Sequence, residues 1–120
     1  MIELFVYLVC TLGTCATTPL MVTPEAVAVA TCESGDTENY GSYELHARSN
    51  THDGGIWQFN DATYVWINGY DHAELDTPQN QYDTFVYLWD DGAGWRHWAP
   101  SKPCWTKWIR INDEDRAVMR

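Results

Sequence analysis

Cys32-Glu33-Ser34-Gly35 is where this sequence comes closest to declaring a chemistry, because it sets one carboxylate at the expected end of a helix. Thr23 can cap, Pro24 suits the first helical position, where no N–H is needed, and Glu25 complements the positive helix end. A helix is therefore predicted from Pro24 to Glu33. Gly35 can take the left-handed conformation, which predicts the stop. Glu33 then falls in the last turn, where the carbonyl dipoles oppose a negative charge and should raise its pKa. An acid that holds its proton near neutral pH can donate it, as protonation of a glycosidic oxygen requires. A solvated glutamate at a frayed helix end would read the same way, so the neighbouring stretches decide.

Those stretches are Ala47-Arg48-Ser49, then Gly54-Gly55-Ile56-Trp57-Gln58-Phe59, then Trp98-Ala99-Pro100-Ser101-Lys102-Pro103-Cys104. The order Glu-Ser, Ala-x-Ser, Gly-x-x-Gln resembles lytic transglycosylases of the lysozyme-like superfamily. The cysteine before the glutamate is similar to the resuscitation-promoting-factor and actinobacteriophage branch, where a Gly-Gly-Leu-Gln-Phe segment precedes a helix and a Trp-Pro-x-Cys-like end closes the domain. The resemblance covers about Pro24 to Trp105. It implies a small, mainly α (α+β) lysozyme-like domain, with Glu33 as the catalytic acid and Gln58 contacting the sugar near the cleavage point. It also implies a one-carboxylate mechanism, in which the glutamate acts first as acid and then as base toward the substrate's own 6-hydroxyl, leaving a 1,6-anhydromuramic product. The segment Asp36 to Asp53 is longer than the family's usual connection.

Composition narrows the alternatives. The chain of 120 residues has room for one core. Its formal net charge of −10, with only 7 Lys and Arg, argues against nucleic acid, whose binding is driven by cations that displace counterions from phosphates. The same charge is repelled by polyanionic wall polymers, so binding to a bacterial wall must come from a cleft or a partner. Seven Trp and 7 Tyr exceed what a core of this size needs, and aromatic faces stack on sugar rings. Trp57, Tyr64, Trp66 and Trp95 are candidate platforms.

Cys32 and Cys104 are expected to bridge in a small domain working outside the cytoplasm, and the resemblance implies the same pairing. Cys10 and Cys15 lie in a different segment, residues 1–22, which is mostly apolar and includes a small-x-small stretch, Thr14-Cys15-Ala16. It reads as an atypical export signal, a leftover leader, or a structured arm, with a cleaved or dispensable segment favoured. The apolar run is too short to span a membrane. Residues 23–105 form the expected catalytic domain, and the charged tail, residues 106–120, reads as a solvated helix or disorder.

Further helices are predicted after Asn60 or Asp61, ending at Gly69, and after Thr77-Pro78, with Tyr82, Phe85, Val86 and Trp89 on one core face. The polar stretch from Asp36 to Asp53 is expected to be a loop or short hairpin walling the cleft. Two-carboxylate glycosidase chemistry would take its second acid from Asp36, Asp53 or Asp61. His46, His52, His72 and His97 lack metal-ligand spacing, so no metal or cofactor is expected. The expected ligand is the glycan strand of peptidoglycan, in a phage virion or lysis apparatus or at the cell envelope. Phage tail or lysis proteins are candidate partners. The competing expectations are a hydrolysing lysozyme and a non-catalytic virion or glycan-binding module.

Overall fold

The three main helices start at caps. α1 (Pro24–Glu33) opens with Thr23, whose hydroxyl accepts the Ala26 N–H at 3.3 Å. α2 (Asp61–Asn68) opens with Asn60, whose side-chain oxygen accepts the Ala62 N–H at 3.1 Å, and closes on left-handed Gly69. α3 (Pro78–Trp89) opens with Thr77, whose hydroxyl accepts the Asn80 N–H at 3.1 Å. Each cap satisfies an N–H that the first helical turn would otherwise leave unpaired. The computed structural model describes residues 2–120, and adds a short helix α4 (Lys102–Trp105) and 3₁₀ turns at Ala73–Leu75, Asp90–Gly92 and Trp95–Ser101.

Three antiparallel strand pairs complete a small mixed α+β domain: β1 (Glu3–Thr11) with β2 (Thr14–Val22), β3 (Asp53–Gly54) with β4 (Phe59–Asn60), and β5 (Ile109–Ile111) with β6 (Ala117–Met119). α1 runs through the centre. Ala26 to Thr31 are all buried, so this helix shows no polar face. Around it the aromatic core packs Trp57 against Phe85 with ring centroids 5.2 Å apart, and Phe85 against Trp98 at 4.8 Å. Three indoles form a hydrogen-bonded relay: Trp57 donates to the Ala26 carbonyl at 2.8 Å, Trp98 to the Trp57 carbonyl at 2.9 Å and Trp105 to the Trp98 carbonyl at 3.0 Å. The Cys32–Cys104 disulfide then returns the chain to α1. With 72 residues between its ends, this crosslink restricts the unfolded chain by about 4 kcal/mol in the chain-entropy account.

Four sequence expectations change here. Residues 2–22 are a packed hairpin, which is the structured-arm reading of this segment and not a dispensable one. Phe5, Leu20 and Val22 belong to the core, Phe5 stacks on Tyr43 at 4.1 Å, and the Tyr43 hydroxyl donates to the Val6 carbonyl at 2.6 Å. Cys10 and Cys15 sit opposite one another in the strand register and are disulfide-bonded. The tail is the β5–β6 hairpin instead of a helix or disorder. Asn112 holds its turn by accepting the Glu114 and Arg116 N–H groups at 2.9 and 3.0 Å, while Ile109 and Ala117 reach the core. On α3 the buried face is Gln81, Thr84, Phe85 and Trp89, and Val86 is exposed. Gly35 is not left-handed; a side chain there would collide with Ser42, so it is needed for close approach of the loop to the helix end.

Phe5→Ala is expected to destabilise the protein by about 3 kcal/mol, because it empties a buried site between Tyr43 and Trp57. Urea unfolding checks this, and an unchanged midpoint would mean that the hairpin contributes nothing to the core.

Candidate active site

Glu33 is the last residue of α1, and three contacts fix the chain just after it. The Ser34 and Gly35 N–H groups both donate to the Ala30 carbonyl, at 2.9 and 3.1 Å, and the Ser34 hydroxyl accepts the Glu44 N–H at 3.0 Å. The helix end is thus pinned to the loop that follows, while the neighbouring Cys32 is crosslinked to α4. The Glu33 side chain is half-buried, and its pKa is pushed up to about 7. Burial is the main cause. The Ser101 hydroxyl lowers the value, and the negative charge of Asp53 raises it again. The sequence argument had assigned the rise to the helix dipole, and the structure places desolvation first.

Asp53 comes from a different element, the start of β3. Its carboxylate accepts the Thr51 hydroxyl at 2.8 Å and the Ser49 hydroxyl at 3.4 Å. The β3–β4 hairpin around it is held by buried polar groups. Gly55, with φ +84°, lets the chain pass over Gln81, whose side-chain oxygen accepts the Ile56 N–H at 2.8 Å and whose amide donates to the Asp76 carbonyl at 3.2 Å. Arg48 bridges back to Gly54 in the backbone, and its guanidinium donates to both oxygens of Asp61 at 2.7 and 2.6 Å and to Glu74 at 3.1 Å. This fork ties the loop to the first turn of α2 and to the 3₁₀ turn carrying Glu74. Asp61 is held well below the usual carboxylate range by the same hydrogen bonds.

A cavity of about 110 Å³ opens beside this hairpin, lined by Asp53, Gln58, Phe59, Thr63, His97 and Trp98 among others. Glu33 does not line it. Asp53 is the shared member, walling the cavity and acting on Glu33 through its charge. The chain matches no family model, no curated protein and no solved structure. What the site can do therefore rests on the residues themselves: the Glu33 carboxyl with its raised pKa, the Asp53 carboxyl in electrostatic reach, and an adjoining cavity.

The other sequence candidates divide sharply. Gln58 lines the cavity, but its amide is committed to the backbone, donating to the Ala47 and Gly55 carbonyls at 3.2 and 2.9 Å, so only its oxygen is left to meet a ligand. Trp57 and Tyr64 are fully buried at 0% exposure and Trp95 is buried too, which removes all three as stacking platforms. Trp66 is 76% exposed. Asp36 is exposed and caps the Glu38 N–H, and Asp61 is spent on Arg48, which leaves Asp53 as the second carboxylate near Glu33. His46 meets the Glu74 carbonyl through Nδ1 at 2.7 Å, His72 meets Asp71, and His97 alone reaches the cavity. Sequence reasoning missed Ser101 and His97 as site residues. The signal was present, since both sit in or beside the Trp98–Cys104 stretch that the disulfide folds back onto α1. Among the described residues, no helix is long and apolar enough to cross a membrane, and two disulfides suit folding in an oxidising setting.

The Glu33 titration gives a test independent of any activity. Asp53→Asn should lower its pKa below 7 and Ser101→Ala should raise it above 7, read by NMR of the labelled carboxyl. The folded protein keeps a proton that the unfolded chain releases between the ordinary value of 4.5 and about 7. Stability should therefore fall as pH rises through that window, and Glu33→Gln should abolish the fall.

Proposed function

We propose that the protein cleaves the β-1,4 bond between N-acetylmuramic acid and N-acetylglucosamine in peptidoglycan, with Glu33 as the catalytic acid of a lysozyme-like lytic transglycosylase domain. The observation that carries the reading is the half-buried Glu33 carboxyl, met by the Ser101 hydroxyl and within electrostatic reach of Asp53, with its pKa pushed up to about 7. Such a group donates and recovers a proton at physiological pH with little thermodynamic cost in either direction. Protonated Glu33 gives its proton to the glycosidic oxygen as the bond to C1 breaks, and the N-acetylglucosamine end leaves as an alcohol. The carboxylate then removes the proton of the muramic 6-hydroxyl, whose oxygen closes on C1. Glu33 ends protonated, and no water is consumed.

The motif order Glu33-Ser34, Ala47-x-Ser49, Gly55-x-x-Gln58 supports the same reading, as does a Cys32–Cys104 bridge beside the acid. The two disulfides fit work at the cell envelope or in a phage virion. A second reading, hydrolysis, is favoured by one feature. Asp53 is close enough to act on Glu33 by charge, as the second carboxylate of a lysozyme would be, and it could direct water to C1.

Incubation with purified peptidoglycan and mass spectrometry of the released muropeptides tests the proposal. Wild-type protein is expected to give products ending in 1,6-anhydro-N-acetylmuramic acid, and Glu33→Gln to give none while unfolding at the same or a higher temperature. The rate should fall as pH rises above about 7, and this limb should move to lower pH in Asp53→Asn. Reducing-end products that vanish in Asp53→Asn would establish the hydrolase. A Glu33→Gln protein that still releases muropeptides at the wild-type rate would end the assignment.

A further inference from the structure

Four of the 7 tryptophans are accounted for by the core in a way that Trp66 is not. Trp57, Trp95, Trp98 and Trp105 are buried, and each indole N–H has an acceptor: the Ala26 carbonyl, the Asp115 carboxylate, the Trp57 carbonyl and the Trp98 carbonyl. Trp66 projects from the exposed face of α2, stacks on no other ring among the described residues, and donates to none of them. Tyr87, on α3, is 63% exposed and equally without an aromatic neighbour. A groove of about 500 Å³ is lined by both of them, with Leu88, Asp90 and His97 among its other walls. Leu88 and His97 also line the cavity beside Asp53, so the two depressions adjoin across these side chains.

We infer that Trp66 and Tyr87 form a sugar-stacking subsite that holds an N-acetylhexosamine ring of the strand at a distance from the bond being cut. This rests on the glycan-cleaving reading for its direction along the strand, and on the aromatic pair for the ligand class. A pyranose ring offers an apolar face of C–H groups and a polar rim. The groove offers two exposed aromatic faces, with a carboxylate at Asp90 and an imidazole at His97 to meet the rim. Because α2 is capped at both ends and α3 is anchored by Phe85 and Trp89, both platforms stand on fixed backbone. Little conformational freedom is then lost on binding. A strand lying across both depressions would touch the Asp53 cavity and this subsite together, so its affinity should grow with chain length.

The probes are the N-acetylglucosamine disaccharide and hexasaccharide, titrated by calorimetry into Glu33→Gln protein, which cannot turn them over. The hexasaccharide is expected to bind more tightly than the disaccharide. Adding Trp66→Ala should weaken the hexasaccharide about fivefold to tenfold and leave the disaccharide unchanged, with Tyr87→Ala acting in the same direction and Trp66→Phe restoring most of the loss. Trp66 and Tyr87 are solvent-exposed, so these variants are expected to fold, and circular dichroism verifies it. Equal hexasaccharide affinity with and without Trp66 would overturn the subsite, as would equal affinity of the parent for both probes. Muropeptide release by the wild-type protein reads the Glu33 assignment separately. A chain that releases muropeptides but fails the length dependence loses only the subsite, and one that passes the length dependence without releasing muropeptides keeps the subsite as a glycan-binding surface.

Discussion

The fold hangs on a closed circuit that leaves α1 and returns to it. Ala26, in the first turn, accepts the Trp57 indole N–H; the Trp57 carbonyl accepts Trp98; the Trp98 carbonyl accepts Trp105; and Cys104, next to Trp105, is bonded to Cys32 one residue before the acid. The three hydrogen bonds each pair buried polar groups, so none can be released alone without leaving an unpaired donor or acceptor, and the disulfide adds a covalent constraint. The circuit also brings Ser101 to the Glu33 carboxyl at the end of the helix. Without it, Glu33 would be the solvated glutamate at a frayed helix end that its local sequence allows.

Magnitudes decide what raises the Glu33 pKa. A helix dipole contributes at most about 2 kcal/mol even at a partly buried terminus, which is about 1.5 pH units for a carboxyl. It cannot carry a glutamate from 4.5 to about 7. Removing the carboxylate from water can, because desolvation penalises only the ionised form, and the nearby charge of Asp53 adds to the penalty. The Ser101 hydroxyl works against both and keeps the group near neutrality instead of far above it. The same burial that tunes the acid therefore makes the folded state less stable once the group ionises, a conflict common at sites kept for function.

Local chemistry was legible in the sequence and tertiary chemistry was not. Thr23-Pro24, Asn60 and Thr77-Pro78 mark helix starts because a cap acts within three residues. The terminal hairpins were hidden for opposite reasons. From Ile2 to Leu8 nearly every residue is apolar, so period-two alternation cannot be seen, although only Phe5 there is fully buried. In the tail, two three-residue strands are too short to register against the charges between them. The roles of Trp57 and Trp66 could not be separated beforehand either. Both are tryptophans near a motif, and only packing makes one of them core and leaves the other in solvent. Ser101 and Glu74 were invisible as partners because the residues they meet are far away in the chain.

Two carboxylates in one site differ in role when their surroundings differ. Glu33 is half-buried and keeps a proton, whereas Asp53 sits at the edge of a hairpin with two hydroxyls donating to its carboxylate. On the proposed reading this division supplies an acid at one side of the scissile bond and a negative charge at the other. That charge can act in two ways: it can steady a positively charged C1 as the bond breaks, or it can take a proton from water. The Ser49 and Thr51 hydroxyls both approach Oδ2 of Asp53 and hold the carboxylate in place with its charge intact, while Oδ1, with only the Asn60 amide at 3.5 Å, keeps lone pairs for either task. Both routes therefore use the loop as it stands, and the proposed one, with the 6-hydroxyl as the internal nucleophile and Glu33 as the base, differs from hydrolysis in which oxygen reaches C1 first.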